Sequence, residues 1–422
     1  MTITAPKGTK DVLPNRSYRW QFVEQTIRAI CAKYGMQEIR TPVFESTELF
    51  ARGVGGTTDI VQKEMYTFLD KGGRSVTLKP EGTAGAVRMF IEHGLYAEAQ
   101  PTKMYYLNSP IFRYERPQAG RLREHHQFGV EILGARGATA DAEVIALALE
   151  LFSTLGTSEL VVKLNSIGCP NCRGAYQKAL RDFLLSKETE LCATCGERLQ
   201  TNPLRVLDCK TPSCRAIIEN TPRTTDYVCE DCVAHMNVLT ECLDKLGVSY
   251  EIDPKLVRGL DYYTKTVFEI VSSKIGAQGT VCGGGRYDGL VQELGGPATP
   301  AVGFGLGLER LLLLMEQLDV NPEPPALCDI FIAPIGPEAV TAAFALVANL
   351  RERGLKADMD HLGRSLKAQL KYADKIGARC ALPIGETELQ SGFAKLKNMK
   401  TGEQVEVSIK TEEIIQCVMR NA

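Results

Sequence analysis

Apolar side chains recur at helical spacing over residues 19–34, where Phe22, Val23, Ile27 and Ile30 share a face and Gly35 supplies a stop. Residues 38–45 read as extended but contain Pro42, which cannot donate to a ladder, so this strand belongs at a sheet edge where another subunit can pack. Residues 75–78 form a strand, and Pro80-Glu81-Gly82-Thr83 turns into a helix, setting a carboxylate and a hydroxyl at a helix start. Residues 105–115 and 126–133 read as two facing strands joined by the Gly/Arg-rich turn 116–123. Alternation along a strand puts Arg113 and Glu115 on one face, and Gln127, Gly129 and Glu131 on one face of the other.

From Val161 to about His235 the pattern changes to short helices broken by cysteine pairs, which marks an inserted module. Strands resume at 250–252 and 266–271, followed by a glycine-rich stretch at 279–296 and a strand-to-helix passage at 301–310. The three prolines within 319–326 favour an extended linker. Beyond it, residues 329–333, 337–353, 356–359 and 365–376 alternate as βαβα, and a strand at 381–384 with a hairpin through Thr401-Gly402 completes a small α/β domain.

The pattern therefore divides the chain into a core at 1–165, an inserted helical module at 166–235, the rest of the core at 236–320, a linker at 321–327 and an α/β domain at 328–422. A length of 422 residues agrees with two or three domains. The net charge of -2 gives no global electrostatic case for nucleic acid, so any such surface is local. Residues 356–400 hold nine Lys or Arg against five Asp or Glu, which suits RNA contact; a solvated helix face is the alternative. The start of the chain shows no apolar signal core and no run is long enough to span a bilayer, so a cytoplasmic protein without a membrane partner is expected.

Arginine forks grip polyphosphate, while carboxylates and an amide grip an amine or polar side chain. A pocket offering both signs binds something zwitterionic beside something phosphorylated; the plainer alternative is an edge hairpin with surface ion pairs. No Walker loop occurs, and Gly303-x-Gly305-x-Gly307 lacks Rossmann spacing, so a nucleotide would be held by arginines on an antiparallel sheet. Those glycines let a base lie against backbone, with Arg310 at the helix start. Residues 257–263 add Arg258, Asp261, Tyr262 and Tyr263 within one short segment.

Cys169-x2-Cys172, Cys192-x2-Cys195, Cys209-x4-Cys214 and Cys229-x2-Cys232 form four pairs, enough for two tetrahedral zinc sites. The pairs can group in three ways, and an iron–sulfur cluster or plain buried thiols are the alternatives. His235 follows Cys232 closely enough to replace a cysteine. A short module with little core would take much of its folding free energy from metal.

These residues resemble the class II aminoacyl-tRNA synthetases, and among them the histidyl family. Motif 1 is similar to the segment ending at Pro42, motif 2 to Phe112-Arg113-Tyr114-Glu115 with its loop and return strand, and motif 3 to residues 305–310. Residues 256–263, the run Gly283-Gly284-Gly285-Arg286-Tyr287-Asp288 and the opening at 7–14 resemble the histidine-specific signatures. The resemblance implies an α+β core with an antiparallel sheet of six to seven strands, a helical cysteine-rich insertion and a C-terminal α/β anticodon-binding domain. It implies ATP with Mg2+, L-histidine and histidine tRNA as substrates, and a homodimer built on motif 1; on that reading, metal loss from the insertion should impair tRNA handling before adenylate chemistry. Glu81, Thr83 and Gln127 would hold the α-amino group, and Glu131, Tyr262 and Tyr263 would line the imidazole pocket. Arg113 and Arg310 would grip the ATP phosphates, supported by Glu115 and Arg121, and Arg258 would meet the α-phosphate. A noncatalytic regulatory paralogue is the competing reading; such paralogues lose catalytic arginines, and here all three stand.

Overall fold

A computed structural model describes residues 2–420 apart from 57, 119, 158 and 276–278. The chain divides into two compact units, Met1–Pro322 and Glu323–Ala422. In the first, the strands are β1 (Gln37–Glu38), β2 (Phe44–Ser46), β3 (Tyr66–Leu69), β4 (Ser75–Leu78), β5 (Thr102–Phe112) and β6 (Glu124–Leu133). They continue as β7 (Leu160–Ser166), β8 (Tyr250–Ile252), β9 (Thr264–Ser272), β10 (Thr280–Arg286) and β11 (Ala301–Gly307).

Eight of these form one sheet in the order β1-β5-β6-β11-β10-β9-β7-β8. The six central strands run antiparallel, as expected, and a short parallel strand flanks each side. Residues 38–45 do not make one strand. Pro42 lies between β1, at the edge of the large sheet, and β2, which joins β3 and β4 in a separate sheet of three.

Helices cover both faces. Pro14–Lys33 starts earlier than its apolar spacing suggests, because Pro14 at the first turn has no N–H to leave unpaired. With Ala138–Thr154, Glu230–Lys245 and Leu308–Gln317 it buries Ile27, Leu147, Phe152, Leu243 and Leu311 against Phe128, Phe268 and Phe304 of the sheet. On the other face, Val87 and Phe90 of helix Thr83–Glu92 pack with Tyr262, Tyr263 and Tyr287. The candidate site residues lie on this second face.

The insertion has a core of its own, in which Tyr176, Leu180, Leu199, Val206 and Ile217 surround the buried Cys195 and Cys214. Its helices Pro170–Leu185, Ala193–Thr201 and Pro212–Ile218 start at or near cysteines, and the last two are short.

The second unit is a five-stranded sheet of β12 (Ile330–Pro334), β13 (Ala357–Met359), β14 (Cys380–Ile384), β15 (Phe393–Asn398) and β16 (Gln404–Ser408), ordered β13-β12-β14-β15-β16. The first three strands are parallel and wound by helices Pro337–Glu352 and Leu366–Lys375. A closing helix, Thr411–Arg420, buries Ile414 and Val418. Among the described residues, no helix is long and apolar enough to cross a membrane.

Candidate active site

The site floor is built from β6 and β11, whose register places Gly303 opposite Glu131, Gly305 opposite Gly129 and Gly307 opposite Gln127. Side chains of one strand fill the space that the facing glycines leave. A Cβ on Gly303 would meet Glu131 Oε2 at 2.1 Å, and one on Gly305 would meet Gln127 Nε2 at 2.2 Å. Tyr106 of β5 pairs across Gly129, where a Cβ would collide with its ring at 2.1 Å. These glycines are space for neighbouring side chains, not bends.

Two carboxylates sit above this floor. Glu81 caps helix Thr83–Glu92, accepting the Thr83 N–H at 2.8 Å and the Ala84 N–H at 2.7 Å. Glu131 accepts the Thr83 hydroxyl at 2.8 Å, the Tyr106 hydroxyl at 3.4 Å and a short bond from the Tyr287 hydroxyl. Burial pushes Glu81 above the ordinary carboxylate range, against its bonds from Ala84 and Thr83 and the Arg113 charge; burial also pushes Glu131 up to about 8, where the Glu81 charge adds to the rise. Among the described residues, neither carboxylate is in an ion pair. Burial, and then the nearby carboxylates, also raise the phenols of Tyr106 and Tyr262.

Arginines surround the other end. Arg113 follows β5 and donates from Nε to Pro80 O at 2.7 Å. Glu115 and Arg121 form an ion pair within the loop, and Arg123 lies 4.0 Å over the Tyr114 ring. Arg310, in the first turn of helix Leu308–Gln317, donates to Thr280 O at 2.6 Å; burial and the neighbouring Arg121 weaken its hold on its proton. Arg258 is paired with Glu269 of β9, which also accepts from Thr280 Oγ1 at 2.8 Å. Burial acts downward on Arg258, and the Glu269 charge, Tyr263 and Cys282 together outweigh it.

The sequence-predicted groups thus gather on one face. Three side chains that sequence reasoning missed belong with them: Tyr106, Tyr287 and Glu269. Tyr287 lies in the quoted run 283–288, so its signal was present. In that run Arg286 points the other way, fully buried against Asp141 with further bonds to Ala135 O at 2.8 Å and Gly137 O at 3.2 Å. His235 joins the same network, its Nε2 lying 3.2 Å from Asp141 Oδ1. This corrects the reading of His235 as a stand-in metal ligand: one helical turn beyond Cys232, it serves a buried carboxylate. Against burial, the bonds from His235 and Arg286 hold Asp141 below its usual range.

The eight insertion cysteines form two groups: Cys169, Cys172, Cys229 and Cys232, and Cys192, Cys195, Cys209 and Cys214, the sulfurs of each lying within 4.8 Å of one another. Cys169 Sγ is 3.7 Å from both Cys172 Sγ and Cys229 Sγ, Cys172 Sγ is 3.8 Å from Cys232 Sγ, and Cys192 Sγ is 3.9 Å from Cys209 Sγ. A tetrahedron with zinc–sulfur bonds of about 2.3 Å has edges of about 3.8 Å, so the donor sets fit single zinc ions. A polynuclear iron–sulfur cluster would hold some thiolates farther apart, on different irons. The N–H of Cys195, with neighbouring thiols, lowers Cys192 to about 6, which favours the thiolate that metal requires.

The sequence model of the family described as Histidyl-tRNA synthetase matches residues 8–311, and that described as Anticodon binding domain matches 329–418. A histidine–tRNA ligase of Caldanaerobacter subterraneus subsp. tengcongensis is 60% identical over 409 residues, covering 97% of this chain and 98% of the relative. One from Clostridium perfringens is 52% identical over 419 residues, covering 99% and 100%. The solved structure of apo histidyl-tRNA synthetase from S. aureus superposes with a TM-score of 0.83 at 39% identity, covering 99% of each chain. A family match over residues 8–311, joined to 60% identity across nearly the whole chain, makes this chain a member of the histidyl-tRNA synthetase family.

Proposed function

We propose that this histidine–tRNA ligase binds the cationic and polar groups of histidine at Glu81, Thr83, Gln127 and Glu131, with Tyr262 and Tyr263 closing the pocket. ATP is held by Arg113 and Arg310, with Glu115 and Arg121 ordering the loop, and Arg258 reaches the α-phosphate. The observation that carries this reading is the pair of buried carboxylates, Glu81 and Glu131, which among the described residues are in no ion pair, with Arg113 near enough to Glu81 for its charge to be felt. Two such groups in a dry site need either protons or a cationic ligand, and a zwitterionic amino acid supplies the latter.

The chemistry requires position and positive charge, with no protein nucleophile. The histidine carboxylate oxygen attacks the α-phosphorus in line, forming the new O–P bond as the bond to pyrophosphate breaks. Arg258 and Arg113 offset the charge that gathers on phosphate oxygens, in a site where burial strengthens each contact. Magnesium bound with ATP would supply further positive charge beside Arg113 and Arg310. A terminal ribose hydroxyl of histidine tRNA then attacks the adenylate carbonyl, and AMP leaves.

A tRNA substrate implies cytoplasmic work. The edge position of β1 suits packing of a second copy into a homodimer. Each cysteine group is read as a structural zinc site, since four thiolates leave no coordination position for water. Histidine-dependent ATP–pyrophosphate exchange tests the whole assignment. Arg258→Ala should retain a cooperative melt and lose exchange by about a hundredfold or more. Near-normal exchange in the folded variant overturns it, and an inactive wild type would favour the regulatory paralogue.

A further inference from the structure

Residues 256–263 carry Arg258, Tyr262 and Tyr263 but form neither helix nor strand, so their backbone groups must find partners elsewhere. The cysteine-rich insertion supplies several of them. Arg173 donates through a short bond to Tyr263 O, and Arg205 Nη1 reaches Gly259 O at 3.2 Å. Asn202 Nδ2 donates to Asp261 Oδ1 at 3.0 Å. Arg198 Nη2 binds Asp59 Oδ2 at 2.5 Å, an oxygen that Arg205 Nη2 approaches at 3.4 Å, and so ties in the neighbouring loop of the core.

Each of these side chains sits beside a cysteine group. Arg173 follows Cys172 on one helix. Arg198 stands one turn after Cys195, and Asn202 and Arg205 lie between Cys195 and Cys209, so the second group clamps both ends of their segment. The expectation that metal affects tRNA handling first overlooked these contacts.

We propose that Arg173, Asn202 and Arg205 are positioning residues for Arg258 and Tyr263, and that metal in the two cysteine groups holds them there, so that metal occupancy sets the efficiency of histidine activation. The proposal rests on the assignments above of residues 258–263 to the substrate site and of the cysteines to metal. It differs from a merely structural role because the loop, and not the insertion's own core, receives the contacts.

The test uses full-length protein with Asn202→Ala and Arg205→Ala, singly and together, and Arg205→Lys as the conservative companion. The alanine variants should melt cooperatively, keep wild-type zinc content by elemental analysis and lose about tenfold in kcat/KM for histidine in the exchange reaction. Arg205→Lys, which keeps the charge and a donor toward Gly259, should recover part of the loss. Stripping metal from wild type should lower exchange and speed amide hydrogen exchange in residues 256–263. In the double variant, stripping should add less than it does in wild type, because only the Arg173 contact to Tyr263 O is left for metal to hold. Unchanged histidine kinetics in the folded double variant, or full additivity of stripping and mutation, overturns the proposal. Wild type that holds no metal when isolated without chelator overturns its metal arm. Normal exchange by Arg258→Ala would instead fault the site assignment beneath it.

Discussion

Both oxygens of Glu131 already accept hydrogen bonds from Thr83, Tyr106 and Tyr287, yet its burial raises its pKa to about 8. The unliganded protein therefore carries a proton here near neutrality. A folded-state pKa above the ordinary 4.5 adds stability that is fully present below about 4.5 and is lost as pH rises toward about 8. Glu131→Gln removes that titration while keeping the shape. Calorimetry across this window should show wild type losing more melting temperature with rising pH than the variant, and histidine restoring more to wild type at the alkaline end. Parallel curves would show that Glu131 is not the titrating group. The arginines and Glu81 were legible because motif spacing marks them. Tyr106 and Glu269 were not, because their roles come from cross-strand register, which a single sequence leaves unstated. His235 was misread because nearness to Cys232 along the chain says nothing of the buried Asp141 that claims it.

The glycine-rich stretch gave no strand signal, since glycine is depleted in strands and carries no alternating side chains. It nevertheless forms β10, because β9 and β11 supply ladders on both sides. Two neighbouring glycines there predict opposite outcomes. A Cβ on Gly283 would meet Arg258 Nη2 at 2.5 Å, the far end of a side chain that can move. A Cβ on Gly284 would meet Gly303 O at 2.1 Å, which is backbone of the next strand. Gly283→Ala should fold and lose histidine-dependent exchange. Gly284→Ala should lose about 3 kcal/mol or more of stability. Denaturant unfolding of the two side by side decides it, and equal stability would mean that the strands are not packed this closely. Face alternation beyond Tyr106 was also read too simply: Asn108 has φ 52° and the β5–β6 register shifts between Tyr106 and Ser109, so strict period two fails before Arg113.

The proline-rich stretch near 322 and the switch to paired cysteines after Ser166 were readable as changes of pattern, because each interrupts a periodicity that runs on either side. The support that the insertion gives to residues 256–263 was not readable, since it depends on single side chains such as Asn202 that no motif marks. The C-terminal unit, Glu323–Ala422, buries its own core of Ile330, Leu350, Leu382 and Ile414, and every residue assigned to histidine or ATP lies in Met1–Pro322. Residues 329–418 match the anticodon-binding family, and the excess of lysine and arginine confined to 356–400 suits a single-stranded RNA loop whose bases are splayed against side chains. A chain ending at Pro322 should therefore keep histidine-dependent ATP–pyrophosphate exchange near the full-length rate. Its charging of histidine tRNA should fall by about tenfold or more, chiefly through a raised KM for tRNA, because a binding surface and not a reacting group has been removed. Steady-state aminoacylation of the two chains on the same tRNA checks this. Equal charging would mean that the catalytic unit alone recognises the tRNA, and lost exchange would mean that the C-terminal unit supports the active site.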